Sequence, residues 1–390
     1  MVSGLRGALN SATVSNGIVA FVFAATAPMA LVFAAAGKGG LGEADIAAWV
    51  FGGFFINGLI SIAFCLAYRQ PLVLLWTMPG TVLVGQALTH LTLPEVVGAY
   101  LVTGALMLAL GLSGIVRRIM AAIPMPVVMG MVAGVFLQFG IDWLLAFKQA
   151  LWIALPMTAV FLLLLASPRV ARVLPPLIVA LLVGIAAAHF TGAIQPVEGP
   201  PLSLALPRMV MPAFSWAAMA ELVVPLAITV LAAQNGQGYA VLNQAGHEVP
   251  VDQVTVTCGA GTLLTAWFGT VPTCLTGPVS AILVVDTPRE QQYVSGVVLG
   301  VLAVAFGLTA PLLARLSIAA PRALIATLAG LAMLKILQAS FNAAFKGPYS
   351  LGALVSFLIT FAGIPILSIG APFWGLVFGY CAARMFDEQV

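Results

Sequence analysis

Apolar runs about as long as one membrane-crossing helix, roughly 20 residues, recur along the whole chain. Short polar or Gly/Pro-containing stretches separate them. They predict spans near 15–36, 45–67, 71–88, 94–113, 124–146, 150–166 and 174–190. The Pro-rich, polar stretch from Thr191 to Ser215 is the longest connection. Spans resume near 217–242, 252–268, 270–285, 292–314, 320–341, 349–364 and 368–386. The runs are continuous rather than alternating, which excludes a transmembrane β-barrel. The expected fold class is therefore an all-α membrane protein with about 14 transmembrane segments. The start of the chain, Met1 to Ala27, imitates a signal peptide, but its apolar run continues to Ala36 and reads as a first, uncleaved span.

Composition agrees. Only 7% of the 390 residues are charged and 62% are apolar, against about 25% and 45–50% in soluble domains. A soluble enzyme, a disordered chain and a nucleic-acid binder are excluded, and the lipid bilayer is the expected environment. A net charge of +3 is too small to imply a nucleic-acid or acidic partner. Cys65, Cys258, Cys274 and Cys381 lie in apolar stretches without metal-ligand spacing and read as buried small hydrophobes.

The few cations orient the spans. With the N-terminus inside, the inner side receives Arg6, Arg69, Arg117, Arg118, Arg169, Arg172, Arg289, Lys346 and Arg384, and Lys335 can snorkel there. The outer side receives Lys38, Lys148, Arg208, Arg315 and Arg322. This excess predicts that both termini face the cytoplasm.

A faint internal repeat accompanies this order. Trp76-Thr77-Met78-Pro79-Gly80-Thr81 and Leu275-Thr276-Gly277-Pro278-Val279-Ser280 share Thr-x-Pro-x-Ser/Thr at an offset of 199 residues. Pro126 to Gly134 and Pro321 to Gly330 echo one another at nearly the same offset. An odd number of spans per repeat makes the second half inverted, a plan common in secondary transporters. Proline disfavours helix in the residue before it, so Pro71 to Met78 and Thr270 to Gly277 read as extended. Gly80 to Leu88 and Val279 to Val285 can then begin half-helices, with Thr77 and Thr276 where N-caps would lie. Two such N-termini near mid-membrane offer unpaired N–H groups to an anion without any Lys or Arg. The alternative is a pair of ordinary Pro-kinked helices.

The eighth predicted span carries Gln234, Asn235 and Gln237 beside Gly236 and Gly238. Such polar groups at mid-membrane either bind something or hydrogen-bond neighbouring helices. Asn57, Gln138, Asp142 and Glu221 lie within or at the ends of spans, and Asp142 and Glu221 read as interfacial. His90, His189 and His247 fall at span ends or in loops. Gly37-Lys38-Gly39-Gly40 lacks the length and Ser/Thr of a P-loop. With no Walker motif, metal-ligand cluster or nucleophile–base pair, the chain is expected not to be an enzyme and to need no cofactor or metal.

At these residues the chain resembles the benzoate:proton symporter family. The stretches carrying the resemblance run from Arg69-Gln70-Pro71-Leu72 through Thr81, over Ala233 to Gly238, and from Gly269-Thr270-Val271-Pro272-Thr273 through Pro278. The resemblance implies a seven-plus-seven inverted repeat, related in fold to nucleobase and sulfate-type anion transporters. It implies core units at 1–120 and 216–316 that move against gate units at 121–215 and 317–390, and a possible homodimer. Substrate, a benzoate or similar aromatic monocarboxylate, would enter with a proton through the cell's inner (plasma) membrane. Its carboxylate would lie near Thr77, Gly80, Thr81, Thr276, Gly277 and Ser280, with Gln234, Asn235 and Gln237 as hydrogen-bonding partners and Trp76 and Phe23 against the ring. The nucleobase relatives carry carboxylates where this chain has Gln234 and Thr276-Gly277, a change that suits an anion and leaves the proton carrier unidentified. An anion exchanger or a nucleobase-type transporter of the same fold is the alternative.

Overall fold

The structure, a computed structural model, describes residues 9–116, 118, 124–167, 175–196, 205, 208–285, 287–364, 366 and 371–387. Four of the orienting cations, Arg6, Arg117, Arg169 and Arg172, lie outside the described residues. In chain order the elements are α1 (Ser11–Lys38), α2 (Glu43–Tyr68), β1 (Leu74–Trp76), α3 (Met78–Ala87), α4 (Leu93–Ser113), α5 (Met125–Gln149), α6 (Leu151–Leu165), α7 (Pro176–Phe190) and α8 (Trp216–Gln244), then α9 (Val251–Thr265), β2 (Thr273–Leu275), α10 (Gly277–Leu283), α11 (Arg289–Leu308), α12 (Ala310–Ala319), α13 (Arg322–Phe345), α14 (Ser350–Ala362) and α15 (Ala371–Ala382). Among the described residues seven helices, α1, α2, α4, α5, α8, α11 and α13, are long and apolar enough to cross a membrane. Shorter apolar helices, α6, α7, α12 and α14, accompany them. The chain is thus a mostly helical, multi-pass membrane protein.

Local sequence sets the ends of these helices. Asn10 accepts the Thr13 N–H while Thr13 Oγ1 accepts the Asn10 N–H, a reciprocal cap on α1. Thr92 and Glu95 build the same box on α4. Arg69 at φ 52° takes the left-handed conformation that ends α2 and turns the chain toward β1. The span expected over 292–314 is divided: α11 stops at Leu308 and α12 starts at Ala310, because Pro311 cannot continue the hydrogen-bond ladder but fits the first turn of a new helix. Within the stretches expected to be extended, 71–78 and 270–277, only 74–76 and 273–275 are strands, and the half-helices start at Met78 and Gly277, earlier than expected.

Besides the π-helical turn Ala383–Asp387 that follows α15, two helices depart from regular winding among the described residues. α2 contains a π-helical segment at Phe51–Ile56, and α8 contains two, Met219–Val223 and Thr229–Asn235. Such wide turns rotate every side chain that follows, so 3.6-residue phasing misplaces the faces of α8.

Packing falls into two sets. α1, α2, α3 and α4 pack with α8, α9, α10 and α11, while α5 packs with α13, α14 and α15, and α6 with α7. Contacts of α1 with α13, of α3 with α5 and of α8 with α5 and α15 join the sets. Large apolar side chains such as Trp152, Leu163, Leu182 and Phe190 on α6 and α7 remain exposed, as expected of helix faces that meet lipid.

Candidate functional site

The centre of the molecule is a two-stranded antiparallel ladder, with Leu74 opposite Leu275, Leu75 opposite Cys274 and Trp76 opposite Thr273. Its ends are tied by Thr77 N–H donating to Pro272 O at 3.0 Å and Thr276 N–H donating to Val73 O at 3.3 Å. All six strand residues are buried. Each strand leads at once into a half-helix, α3 or α10, with Pro in its first turn. α1 packs against both half-helices, and α8 crosses both.

The two half-helix starts share one plan with one difference. Thr81 Oγ1 donates to Thr77 O at 2.9 Å, and Ser280 Oγ donates to Thr276 O at 3.0 Å, so both hydroxyls are turned back onto their own cap residues. At α3, Thr77 Oγ1 accepts the Gly80 N–H at 3.2 Å and shares a 3.2 Å hydrogen bond with Thr229 Oγ1. At α10, Thr276 makes no side-chain cap bond, and its Oγ1 is buried without a partner. The first N–H groups of a helix have no intrahelical acceptor, and the cap residue of α10 leaves them to something else.

α8 presses close at this second start. A Cβ at Gly238 would meet Leu275 Cδ2 at 2.7 Å, and one at Gly277 would meet Gln237 Cβ at 2.6 Å. Only glycine at both positions lets α8 lie this near the turn between β2 and α10. Gln237 is exposed and lies beside Gly277. Gln234, on the preceding turn, is 3% exposed and its Oε1 has no partner. Asn235 is used differently. Its Oδ1 accepts the Leu275 N–H at 2.8 Å and its amide faces Cys258, so it holds β2 in place.

The two aromatic candidates stand on different elements of one apolar core. Trp76 packs edge-on against Phe54 of α2 at 4.9 Å and close over Gly53, inside the set of helices that carries the ladder. Phe23 is half-buried on α1 within the apolar core. Near the start of α10 stand the unpartnered Thr276 Oγ1, the α10 N–H groups and Gln237, while the α8 turn that carries Gln234, with its unpartnered Oε1, packs on β2; other unpartnered buried groups, such as Asn57 Nδ2 and Trp76 Nε1, lie elsewhere. No Asp, Glu, Lys or Arg occurs on β1, α3, β2 or α10.

A separate cavity of about 410 Å³ opens between the end of α1, the second half of α5 and the start of α13. Phe33, Phe139, Gln149 and Arg322 line it, as do Lys38 and Asp142, which pair at 3.1 Å. It lies away from the ladder residues, and its charges are half exposed.

Glu221, expected at the membrane interface near the start of span eight, is buried within the protein at 7% exposure. Its Oε2 lies 2.9 Å from Nε2 of His90. The turn that hides it is one of the π-helical segments of α8. A carboxylate five residues into an apolar helix was the available signal.

A family model described as benzoate membrane transport protein matches residues 7–385. The chain belongs to the benzoate membrane transport family. It is a membrane transporter and not an enzyme. Over 374 residues, 94% of each chain, it is 29% identical to Inner membrane protein YdcO of Escherichia coli (strain K12). Over 380 residues, 95% of this chain and 94% of the relative, it is 27% identical to the Benzoate membrane transport protein of Acinetobacter baylyi (strain ATCC 33305 / BD413 / ADP1). Among solved structures, this family member shares its fold with SLC26A9, at a TM-score of 0.66 and 16% identity over 95% of this chain. It spans 64% of the SLC26A9 chain. The transmembrane domain of a cyanobacterium bicarbonate transporter, BicA, matches at 0.60 and 19% identity over 96% of this chain and 97% of that one. These likenesses concern the fold alone.

Proposed function

We propose that this family member imports benzoate or a similar aromatic monocarboxylate together with a proton, by alternating access. The observation that carries the reading is the start of α10, where buried polar groups lack partners and no fixed charge competes. Thr276, Gly277 and Gln234 would hold the carboxylate, with Gln237 at the rim. The α3 start contributes less to the substrate, because Thr77 already caps Gly80. Thr77, Gly80, Thr81 and Ser280 shape the two cradles, Asn235 positions β2, and Trp76 and Phe23 stiffen the apolar surround. A carboxylate bound with one proton is electroneutral, so its entry is indifferent to membrane potential.

The architecture we propose is a seven-plus-seven inverted repeat of about 14 membrane segments. The ladder register supports it: Leu75 and Cys274 pair, and they are also related by the 199-residue offset of the Thr-x-Pro motif. The motif-related halves are thereby symmetric about that one pair, which a register shifted by one residue would destroy. The two packing sets support a core unit (1–120 and 216–316) moving against a gate unit (121–215 and 317–390). The boundary at 316 falls inside α12, whose Arg315 pairs with Glu43 of α2 at 3.3 Å, so α12 goes with the core. The cation excess supports cytoplasmic termini, and contacts between distant segments agree with the grouping of the two sides. Asn10 bonds Gln291 and Gln70 bonds the Glu248 carbonyl, all on the predicted inner side, while Lys38 meets Asp142 on the outer side. We place the protein in the inner membrane, with a homodimer through the gate units as the assembly the fold suggests.

Uptake of labelled benzoate into proteoliposomes tests the function. An imposed inward proton gradient should accelerate and concentrate it. Uptake that ignores the gradient and requires an internal counter-anion would replace symport by exchange, the reading that likeness to anion transporters favours as second.

A further inference from the structure

Proton coupling requires a group that titrates and is shielded from water in at least one state. Among the described residues Glu221 is the one carboxylate in the buried set. A buried carboxylate in a membrane helix is costly unless it is paired or functional. Its partner is His90 Nε2 at 2.9 Å, and the far side of that ring, Nδ1, lies 3.3 Å from Thr89 Oγ1 at a half-exposed position. The pair thus has a wet end and a dry end.

Its place in the fold relates it to transport. His90 follows directly on α3, and its N–H donates to Ala87 O at the carboxyl end of that half-helix. The turn that carries Glu221, Met219–Val223, packs mainly on α4 and less extensively on α3 and on α15. α3 belongs to the ladder, and α15 to the opposing set of helices. The turn of Glu221 therefore touches both of the sets that would slide past one another. Its turn is π-helical, a local irregularity that recurs at functional sites.

The charged and titratable groups around it are few. Glu95 of α4, held by Thr92 N–H at 2.9 Å and Thr92 Oγ1 at 2.7 Å, is the other acid near His90. α3 has no ionisable side chain, and α15 has only Tyr380 and Cys381, both exposed.

We infer that Glu221, served by His90, is the group that carries the coupling proton. His90 takes a proton from outer water at Nδ1 and passes its Nε2 proton to Glu221 Oε2. The carboxylate becomes a carboxylic acid, and the imidazole returns to its neutral form as the other tautomer. Counting Glu221 and the bound substrate, the empty unit carries one negative charge and the doubly loaded unit also carries one. The unit loaded with anion alone carries two. Taking that extra charge across a low-dielectric seam is disfavoured, so the anion moves only with the proton. This inference rests on the symport reading above.

The test compares two assays on full-length protein in proteoliposomes. One is accumulation of labelled benzoate under an inward proton gradient, and the other is benzoate–benzoate counterflow at equal pH. Glu221→Gln should keep counterflow, lose gradient-driven accumulation and show a flattened pH profile, while Glu221→Asp should restore the coupling. His90→Gln, at a half-exposed position, should keep counterflow and slow gradient-driven accumulation several-fold, since Glu221 loses the ring that links it to outer water. Gradient-driven accumulation by Glu221→Gln at the wild-type ratio would overturn the inference. If Glu221→Gln does not fold, gradient-driven accumulation by His90→Gln at the wild-type rate would overturn it. A wild-type protein that ignores the gradient would instead overturn the symport reading, and this inference with it.

Discussion

Thr77 and Thr276 occupy equivalent places before the two half-helices, yet the same substitution should act on them in opposite directions. Thr276→Val keeps the shape of the side chain and removes a buried hydroxyl that has no partner. Leaving such a group unsatisfied costs about 1–3 kcal/mol. The ligand-free protein should therefore become more stable, by about 1 kcal/mol at the low end of that range. The hydroxyl's loss should weaken benzoate binding by about 1–3 kcal/mol, roughly 5- to 150-fold in Kd. Thr77→Val removes the Gly80 cap and the bond to Thr229. It should destabilise the protein by about 2 kcal/mol, a cap together with a buried hydrogen bond. The assay is thermal unfolding of purified protein in detergent, with and without benzoate, alongside equilibrium binding. Thr276→Val should unfold at a higher temperature than wild type without benzoate and gain less from benzoate, whereas Thr77→Val should unfold at a lower temperature. If Thr276→Val also lowered the unfolding temperature and left Kd unchanged, Thr276 would be a structural cap and the site would lie elsewhere.

Gln234→Ala should weaken benzoate binding by about 1–3 kcal/mol, read by the same equilibrium measurement; unchanged affinity would make Gln234 a packing residue. Asn235→Ala should lower the unfolding temperature whether or not benzoate is present, because it strips the Leu275 N–H of its acceptor at 2.8 Å; a loss of binding at unchanged stability would contradict that role. Asp142→Asn, which breaks a half-exposed pair with Lys38, should change stability by no more than about 1 kcal/mol. His247 sits between α8 and α9, where burial holds its imidazole below the usual range while Nε2–H donates to Gln292 Oε1 at 2.7 Å. The folded protein then binds fewer protons than the unfolded chain as pH falls through about 6.5. Wild-type stability should drop on acidification below that point, and His247→Gln should lessen the drop in a pH series of unfolding temperatures.

Much of this arrangement was legible in the sequence, because the signals were local and steric. Pro79 and Pro278 disfavour helix upstream and suit a first helical turn, so an extended stretch followed by a half-helix was readable at both places, although each helix begins one residue before its proline, at Met78 and Gly277. Continuous apolar runs give away membrane helices. What stayed hidden depends on partners distant in sequence. Nothing local distinguishes Thr77 from Thr276; the difference arises because Thr229 lies beside one and not the other. Asn235 and Gln234 are neighbours with the same amide chemistry, yet one fills the Leu275 N–H and the other is left open. The π-helical segments shift the phase of α8, which is why Gln234 is buried while Gln237 is exposed. His90 and Glu221 are 131 residues apart, and only the packing of α3 and α4 against α8 brings them together.

The central claim is that an aromatic carboxylate binds at the start of α10. A structure determined with 4-bromobenzoate, whose bromine marks the ring, tests it most directly. Density is expected with the carboxylate against Thr276, Gly277 and Gln234. Density confined to the cavity lined by Lys38, Phe139 and Arg322, with the α10 start empty, would contradict it.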